Sequence, residues 1–380
     1  MDINALASEM KNELVRIRRD LHKIPETAYS EFKTNEYIMR YLNSLNADIV
    51  SKIAKTGVKA VFYSKNATKT IAIRSDIDAL PITENTGLSF ASINPDFMHA
   101  CGHDAHMAMA LVTAKIISKI RDMLSCNMVF LFQPAEESTG GAELMIESGA
   151  LSSPKVDEIY AFHVWPDVPL GKVSIKKGAV MANMCDFDID IHGKSAHSSK
   201  PDIGIDAIEY AAHFIAYCKD IVKKDENAVL NIGKISGGNS RNIISDFVHM
   251  EGTLRSFDED VFNNLRKNIK DKLSSLEKSG HVKTKYLENT FFPAVVNPNG
   301  LADKVSALLP KELLFDVEPS MASEDFAYYQ KAVPGLYMFL GIGTNDKTLT
   351  LHSNDFNFDE SVLELGLYIY LHILSEYISG

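Results

Sequence analysis

The 380-residue chain has little cysteine, a single tryptophan and no excess of positive charge. Its four cysteines, at 101, 126, 185 and 218, are too scattered for a disulfide framework, which points to a reducing, cytoplasmic setting. Lysine and arginine total 39 against 50 aspartates and glutamates, for a net charge of −11 and a pI near 5.6. A nucleic-acid binder would carry a basic face, so that class is excluded. A small anionic substrate is not, because one pocket can be locally basic. No apolar run reaches about 18 residues, so no membrane span is expected. The first 26 residues mix acids with bases and show no apolar stretch of the signal-peptide type. Repeats, heptads and low-complexity tracts are also missing. What remains is ordinary globular composition in a chain long enough for two domains.

Periodicity organises the rest. Leu6, Met10, Leu14, Ile17 and Leu21 recur at helical spacing, predicting one helix over 2–23 that Pro25 ends. A second helix is expected over 30–45, strands over 58–63 and 70–73, mostly loop over 75–105, then a helix to about 122. The apolar run 128–132 suits a buried strand, Gly140-Gly141 turns into a helix over 142–148, and 159–163 is strand again. This alternation implies an α/β domain with a central mixed sheet between helices. Near 182 the pattern changes: Asp186, Asp188 and Asp190 alternate with Phe187, Ile189 and Ile191, a half-exposed strand. A helix over 205–222, strands near 228–236 and 246–256, a helix from Asp258 to about 278 and a strand over 281–287 follow. That order is ferredoxin-like. A last helix is expected over 359–378. The small domain, 182–291, is therefore read as an insertion into a discontinuous domain of 1–181 and 292–380.

The chemistry is concentrated in His99-Ala-Cys101-Gly-His103-Asp-Ala-His106, which precedes an apolar helix-like stretch. Downstream come Gln133-Pro-Ala-Glu136-Glu137 after a strand, His163 ending another, and His352 near the C-terminus. Cys101, His103, Glu137, His163 and His352 are donors suited to zinc, cobalt, nickel or manganese. Five such donors can fill two metal sites, with the Cys101 thiolate bridging. Glu136 is then a carboxylate beside a ligand, placed to act as general base. His99 and His106 flank the motif as weaker candidates, His106 facing the helix surface. Asp76 and Asp78, just past a strand, can orient metal-bound imidazoles. His197, in the turn Gly193-Lys-Ser-Ala-His197, can donate to an oxyanion. Asn242, after the Gly237-Gly238 turn, can hold a substrate carboxylate together with Arg255. Two other readings stay open: Cys101 as a nucleophile with His103 as its base, and a catalytically silent metal-binding or dimerisation scaffold.

These segments, with Leu21-His22-x4-Glu26, Arg74-Ser-Asp-Ile-Asp-Ala-Leu-Pro81, Phe162-His-Val-Trp-Pro166, Ser323-Glu-Asp-Phe326 and Leu351-His-Ser353, occur in order over nearly the whole chain. The chain resembles the amidohydrolase branch of the aminoacylase/carboxypeptidase G metallopeptidase superfamily. That branch includes hippurate hydrolases, indole-acetyl-amino-acid hydrolases and N-acetyl-diaminopimelate deacetylases. The resemblance implies a two-metal catalytic domain with an inserted lid that often forms a homodimer. It implies metal ligation by Cys101, His103, Glu137, His163 and His352, and Glu136 as base. It assigns His197 to the oxyanion, and Asn242 and Arg255 to the substrate carboxylate. Many members of the wider superfamily have His-x-Asp where this chain has Asp76-x-Asp78, so Cys101 substitutes for a lost ligand. The expected reaction is metal-dependent hydrolysis of an N-acyl amino acid, such as an N-acetyl or N-benzoyl derivative. Deacetylation of N-acetyl-diaminopimelate in lysine biosynthesis is the alternative.

Overall fold

A computed structural model describes residues 3–279, 281–344 and 349–378. The chain divides into two compact units, 1–180 with 296–318 and 325–380, and 181–295 with 319–324. The short stretch 319–324, read from sequence as part of the first domain, belongs to the second.

The first unit is built on a seven-stranded mixed sheet. Its centre is parallel: Lys69–Asp76 lies between Cys126–Gln133 and Glu158–Pro169, and Gly335–Gly343 follows on the far side. These strands are buried nearly throughout, as expected where helices cover both faces of a parallel sheet. Gly57–Phe62 adds antiparallel to Cys126–Gln133, and Ile49–Ile53, absent from the sequence reading, pairs with it as a hairpin. The helix His103–Ile120 buries almost every side chain from His103 to Ile117, because it packs against the sheet and against Lys11–His22 and Val362–Ser375. The predicted first helix is two helices, Ile3–Glu9 and Lys11–His22, broken at Met10.

In the second unit, four antiparallel strands stand in the order Ala228–Gly237, Phe247–Ser256, Asn183–His192, Lys283–Phe292. The helices Ala207–Val222 and Glu259–Lys278 supply Phe214, Cys218, Phe262 and Ile269 to its core, against Phe187, Ile189 and Ile191. This is the ferredoxin-like arrangement. Asp258 caps the longer helix, accepting the N–H groups of Asp260 and Val261 at 2.8 and 2.9 Å.

Candidate metal centre

The parallel strands bring their carboxyl ends level. Asp76 faces Gln133 across one pair, and Ile73 faces Tyr160 across the other. Three residues beyond Ile73 and Tyr160 lie Asp76 and His163, so both emerge at one edge of the sheet, where open α/β sheets form their sites. The helix beginning at His103 delivers its N-terminus to the same edge. Gly102, immediately before it, has φ 85°. A Cβ there would stand 2.4 Å from Val164 Cγ2, so the close approach of this turn to the His163 strand needs glycine. His352 reaches the edge because its N–H donates to the carbonyl of Ala100 at 2.9 Å.

Several overlapping groups of donors result. The donor atoms of Cys101, His103 and His163 all lie within 4.8 Å of one another, and so do those of Cys101, Glu137 and His352. Cys101 belongs to both. His163 Nδ1 donates to the carbonyl of Val164 at 2.7 Å, which leaves Nε2 as a lone pair 3.3 Å from Cys101 Sγ. His103 Nδ1 likewise donates to the carbonyl of Asp78 at 2.9 Å. Its Nε2 is buried without a hydrogen-bond partner, as is Glu137 Oε1, which His352 Nε2 approaches to 3.2 Å. Buried polar atoms rarely go unpaired, and an imidazole nitrogen and a carboxylate oxygen left bare in this way fit a divalent cation. The Glu136 carboxylate joins His103 and Glu137 within 4.8 Å.

The electrostatics show what a cation would have to change here and what already suits it. Burial opposes a charge on His103, but Asp76 and Asp78 outweigh it and raise the imidazole to about 10, so a cation bound at Nε2 would displace a proton. Burial and His106 lower His163 to about 3, so it is neutral and free to donate a lone pair. Burial, then Glu137 and Glu136, push the Cys101 thiol well above its usual range. A nucleophilic cysteine needs electropositive surroundings. Cys101 has carboxylates instead, so the reading of Cys101 as nucleophile is not supported. A thiolate here calls for a cation.

Residues 72–376 match the peptidase family M20/M25/M40. The chain belongs to the M20 family. It is 35% identical over 377 residues to an N-acetyldiaminopimelate deacetylase of Bacillus velezensis, covering 97% of this chain and 99% of that one. It is 34% identical over 375 residues to the Bacillus subtilis deacetylase of the same name, covering 97% and 98%. A solved M20 dinuclear metal-binding peptidase from Bacillus subtilis superposes with a TM-score of 0.85 at 31% identity, covering 98% and 99%. A candidate aminohydrolase from methicillin-resistant Staphylococcus aureus superposes with a TM-score of 0.93 at 33% identity, covering 99% of both chains. The protein is a metal-dependent amidohydrolase acting on linear amides.

Other parts of this M20 chain differ from the sequence reading. His106 does not face the helix surface. It is buried, its Nδ1 lies 2.6 Å from Asp76 Oδ1, and its Nε2 accepts the N–H of Val164 at 3.0 Å. With both nitrogens used, it supports its neighbours and is not free to ligate. His99 is also buried and stands outside all of these donor groups. Asp78 accepts the N–H of Glu137 at 3.0 Å and so orients two candidate ligands, His103 and Glu137. In the second unit, His197 and Asn242 are neighbours: His197 pairs with Ile243, and the Asn242 carbonyl accepts Ser198 N–H at 3.0 Å. Arg255 donates to the carbonyl of Met321 at 2.7 Å. It lies on the Phe247–Ser256 strand, at the end remote from the Asn242 turn. At about 3.3 Å per residue, the strand from Phe247 to Arg255 spans roughly 26 Å. The local fold therefore groups Asn242 with His197 and not with Arg255.

Sequence reasoning gave no role to Arg74, Gln133 or Asp325. Arg74 is buried, with NH1 2.8 Å from Asp76 Oδ2, NH2 3.0 Å from Asp325 Oδ1, and Nε donating to Gln133 Oε1 at 2.9 Å. The available signal was an arginine directly after the apolar run Ile71–Ile73, since such a charge is buried only when paired.

Proposed function

We propose that this M20 hydrolase cleaves the amide bond of an N-acyl amino acid to a carboxylate and a free amino acid, with N-acetyldiaminopimelate the first substrate to test. The observation that carries the reading is the pair of donor groups sharing Cys101, with Glu136 beside them. Cys101, His103 and His163 would hold one divalent ion, and Cys101, Glu137 and His352 a second. Ions held there, of manganese, zinc, nickel or cobalt, would supply Lewis acidity toward the scissile carbonyl and a water. Glu136 would take a proton from the attacking water as its oxygen bonds the carbonyl carbon, and deliver it to the leaving nitrogen as the amide C–N bond breaks. Asp76 and Asp78 hold the surrounding imidazoles in orientation. His197, with Asn242 beside it, donates to the oxyanion, and Arg255 pairs with the substrate carboxylate.

Four free, buried cysteines support a cytoplasmic setting, and among the described residues no helix is long and apolar enough to cross a membrane. The family resemblance supports a homodimer through the second unit, in which either subunit supplies His197. The test is a panel of N-acetyldiaminopimelate and N-acetyl, N-benzoyl and indole-acetyl amino acids, assayed with added Mn²⁺. A kcat/KM for N-acetyldiaminopimelate well above the rest selects the deacetylase reading. Activity on none of them overturns the proposal.

A further inference from the structure

The segment that carries Glu136 and Glu137 is fastened from several sides. It leaves the strand Cys126–Gln133 and enters the helix Ala142–Glu147. Asp325 ties the two ends together: its carboxylate accepts the N–H groups of Gly141 and Ala142, at 2.7 and 2.9 Å, and the side-chain amide of Gln133 at 2.7 Å. Inside the segment, Gly140 N–H donates to the Ala135 carbonyl at 3.1 Å, and Tyr29 hydroxyl donates to the Gly140 carbonyl at 2.9 Å.

The chain changes direction at Ala135, which has φ 60°. That left-handed conformation is disfavoured for any residue with a Cβ, so something must hold it. Ala135 is fully buried, and its N–H donates to Glu31 Oε1 at 3.1 Å. Glu31 is itself fully buried, and its other oxygen accepts the hydroxyl of Thr56. It belongs to none of the metal-donor groups found among the described residues. A carboxylate in such a place is unfavourable to bury, and an apolar side chain would fill the volume without that penalty. Its retention needs a reason other than packing.

We infer that Glu31 is a positioning residue: by accepting the Ala135 N–H it holds the left-handed turn that aims Glu136 and Glu137 at the metal centre. The inference rests on the roles proposed above for those two glutamates. Burial pushes the Glu31 carboxyl up to about 7, with Thr56 acting in the opposite direction. A glutamine here thus resembles a neutral form that the wild type itself visits near neutral pH, and its amide oxygen still accepts the Ala135 N–H. Glycine at 135, in turn, adopts positive φ without steric penalty.

The test compares Glu31→Ala, Glu31→Gln and Glu31→Ala combined with Ala135→Gly. Each is stripped of metal, titrated with Co²⁺ while the visible spectrum is followed, and then assayed for kcat and KM on an N-acetyl amino acid. Glu31→Ala should weaken Co²⁺ binding by about 10-fold or more, the usual size of an outer-shell loss. It should lower kcat comparably, with KM within about 2-fold. Glu31→Gln should stay near the wild type in both, and Ala135→Gly should restore most of what Glu31→Ala loses. If Glu31→Ala lowers only the melting temperature, or if glycine at 135 restores nothing, the inference is wrong and Glu31 is a stabilising group alone. Should Glu31→Ala fail to fold, Glu31→Asp, which withdraws the acceptor by one methylene, takes its place. The Co²⁺ titration needs no turnover, so failure of the proposed substrate class leaves it standing.

Discussion

Cys101 Sγ lies 3.3 Å from His163 Nε2, while the other nitrogen of that ring is committed to the Val164 carbonyl at 2.7 Å. The contact joins a turn at a helix start to a strand 62 residues away, and it leaves the imidazole with one lone pair and one direction. Cys101 is also the residue common to the two donor groups proposed to hold the ions. Cys101→Ala should therefore lose metal and activity together. The Co²⁺-loaded wild type should show a thiolate-to-metal charge-transfer band that the variant lacks. Full activity of wild type after exhaustive chelation would sink the metal reading.

Glu136→Gln should keep its metals and lose kcat by a factor on the order of 10²–10⁴, the usual contribution of a general base. Metal analysis and steady-state kinetics on one preparation decide it. If Glu136→Gln loses metal and Glu137→Gln retains it, the two roles are reversed.

His197→Ala should lower kcat by roughly 10²–10³ with little change in KM, since an oxyanion donor acts in the transition state. Asn242→Ala should behave like His197→Ala, because the fold makes those two residues neighbours. Arg255→Ala should mainly raise KM, because a carboxylate is present in ground and transition states alike. Equal turnover of an N-acyl amino acid and its C-terminal amide by the wild type would remove the carboxylate contact from the proposal.

His22 predicts a pH dependence of stability. Burial opposes its charge, but hydrogen bonds to Asp104 at 2.8 Å and Glu84 at 3.4 Å outweigh burial and raise it to about 9. The folded pKa lies above the unfolded value of about 6.5. The stabilisation is thus fully present below pH ~6.5 and is lost as pH rises through about 9. Its ceiling is on the order of 3 kcal/mol. Between pH 6.5 and pH 9.5 the wild type should lose more stability than His22→Gln in thermal melts. Parallel curves for the two proteins would count against a charged His22.

Gly141→Ala should damage the segment bearing the two glutamates. A Cβ at 141 would fall 1.8 Å from the Pro134 carbonyl oxygen, so the backbone itself must move. Overpacking of this kind costs about 1–3 kcal/mol. A drop in melting temperature should come with weaker metal binding. Gly149→Ala, where φ is 87° but no atom lies within 4 Å of the new Cβ, is the control for backbone strain alone and should leave metal binding intact.

The sequence by itself determined most of the element types up to residue 291, the last helix, and which residues are candidate donors. Those properties are local or chemical. Alternation in Asp186–Ile191 gives a strand with one wet face. The run Met128–Phe132 gives a buried one. Thiolate, imidazole and carboxylate keep their ligand character wherever the chain carries them. The break at Met10, the hairpin strand Ile49–Ile53, the sheet strand Gly335–Gly343 and the helices Asn299–Leu308 and Phe326–Ala332 escaped because tertiary packing overrode weak local patterns. Only the tertiary structure decided which atoms meet. Parallel register sets Asp76 level with Gln133, and buried charges must find partners wherever the sheet places them. That requirement paired Arg74 with Asp325 across 251 residues and Glu31 with Ala135 across 104. It also used both nitrogens of His106 for Asp76 and Val164. Such pairings depend on distances between elements remote along the chain, which periodicity and spacing do not encode, whereas the low polarity of the interior makes every unpaired charge costly enough to select them.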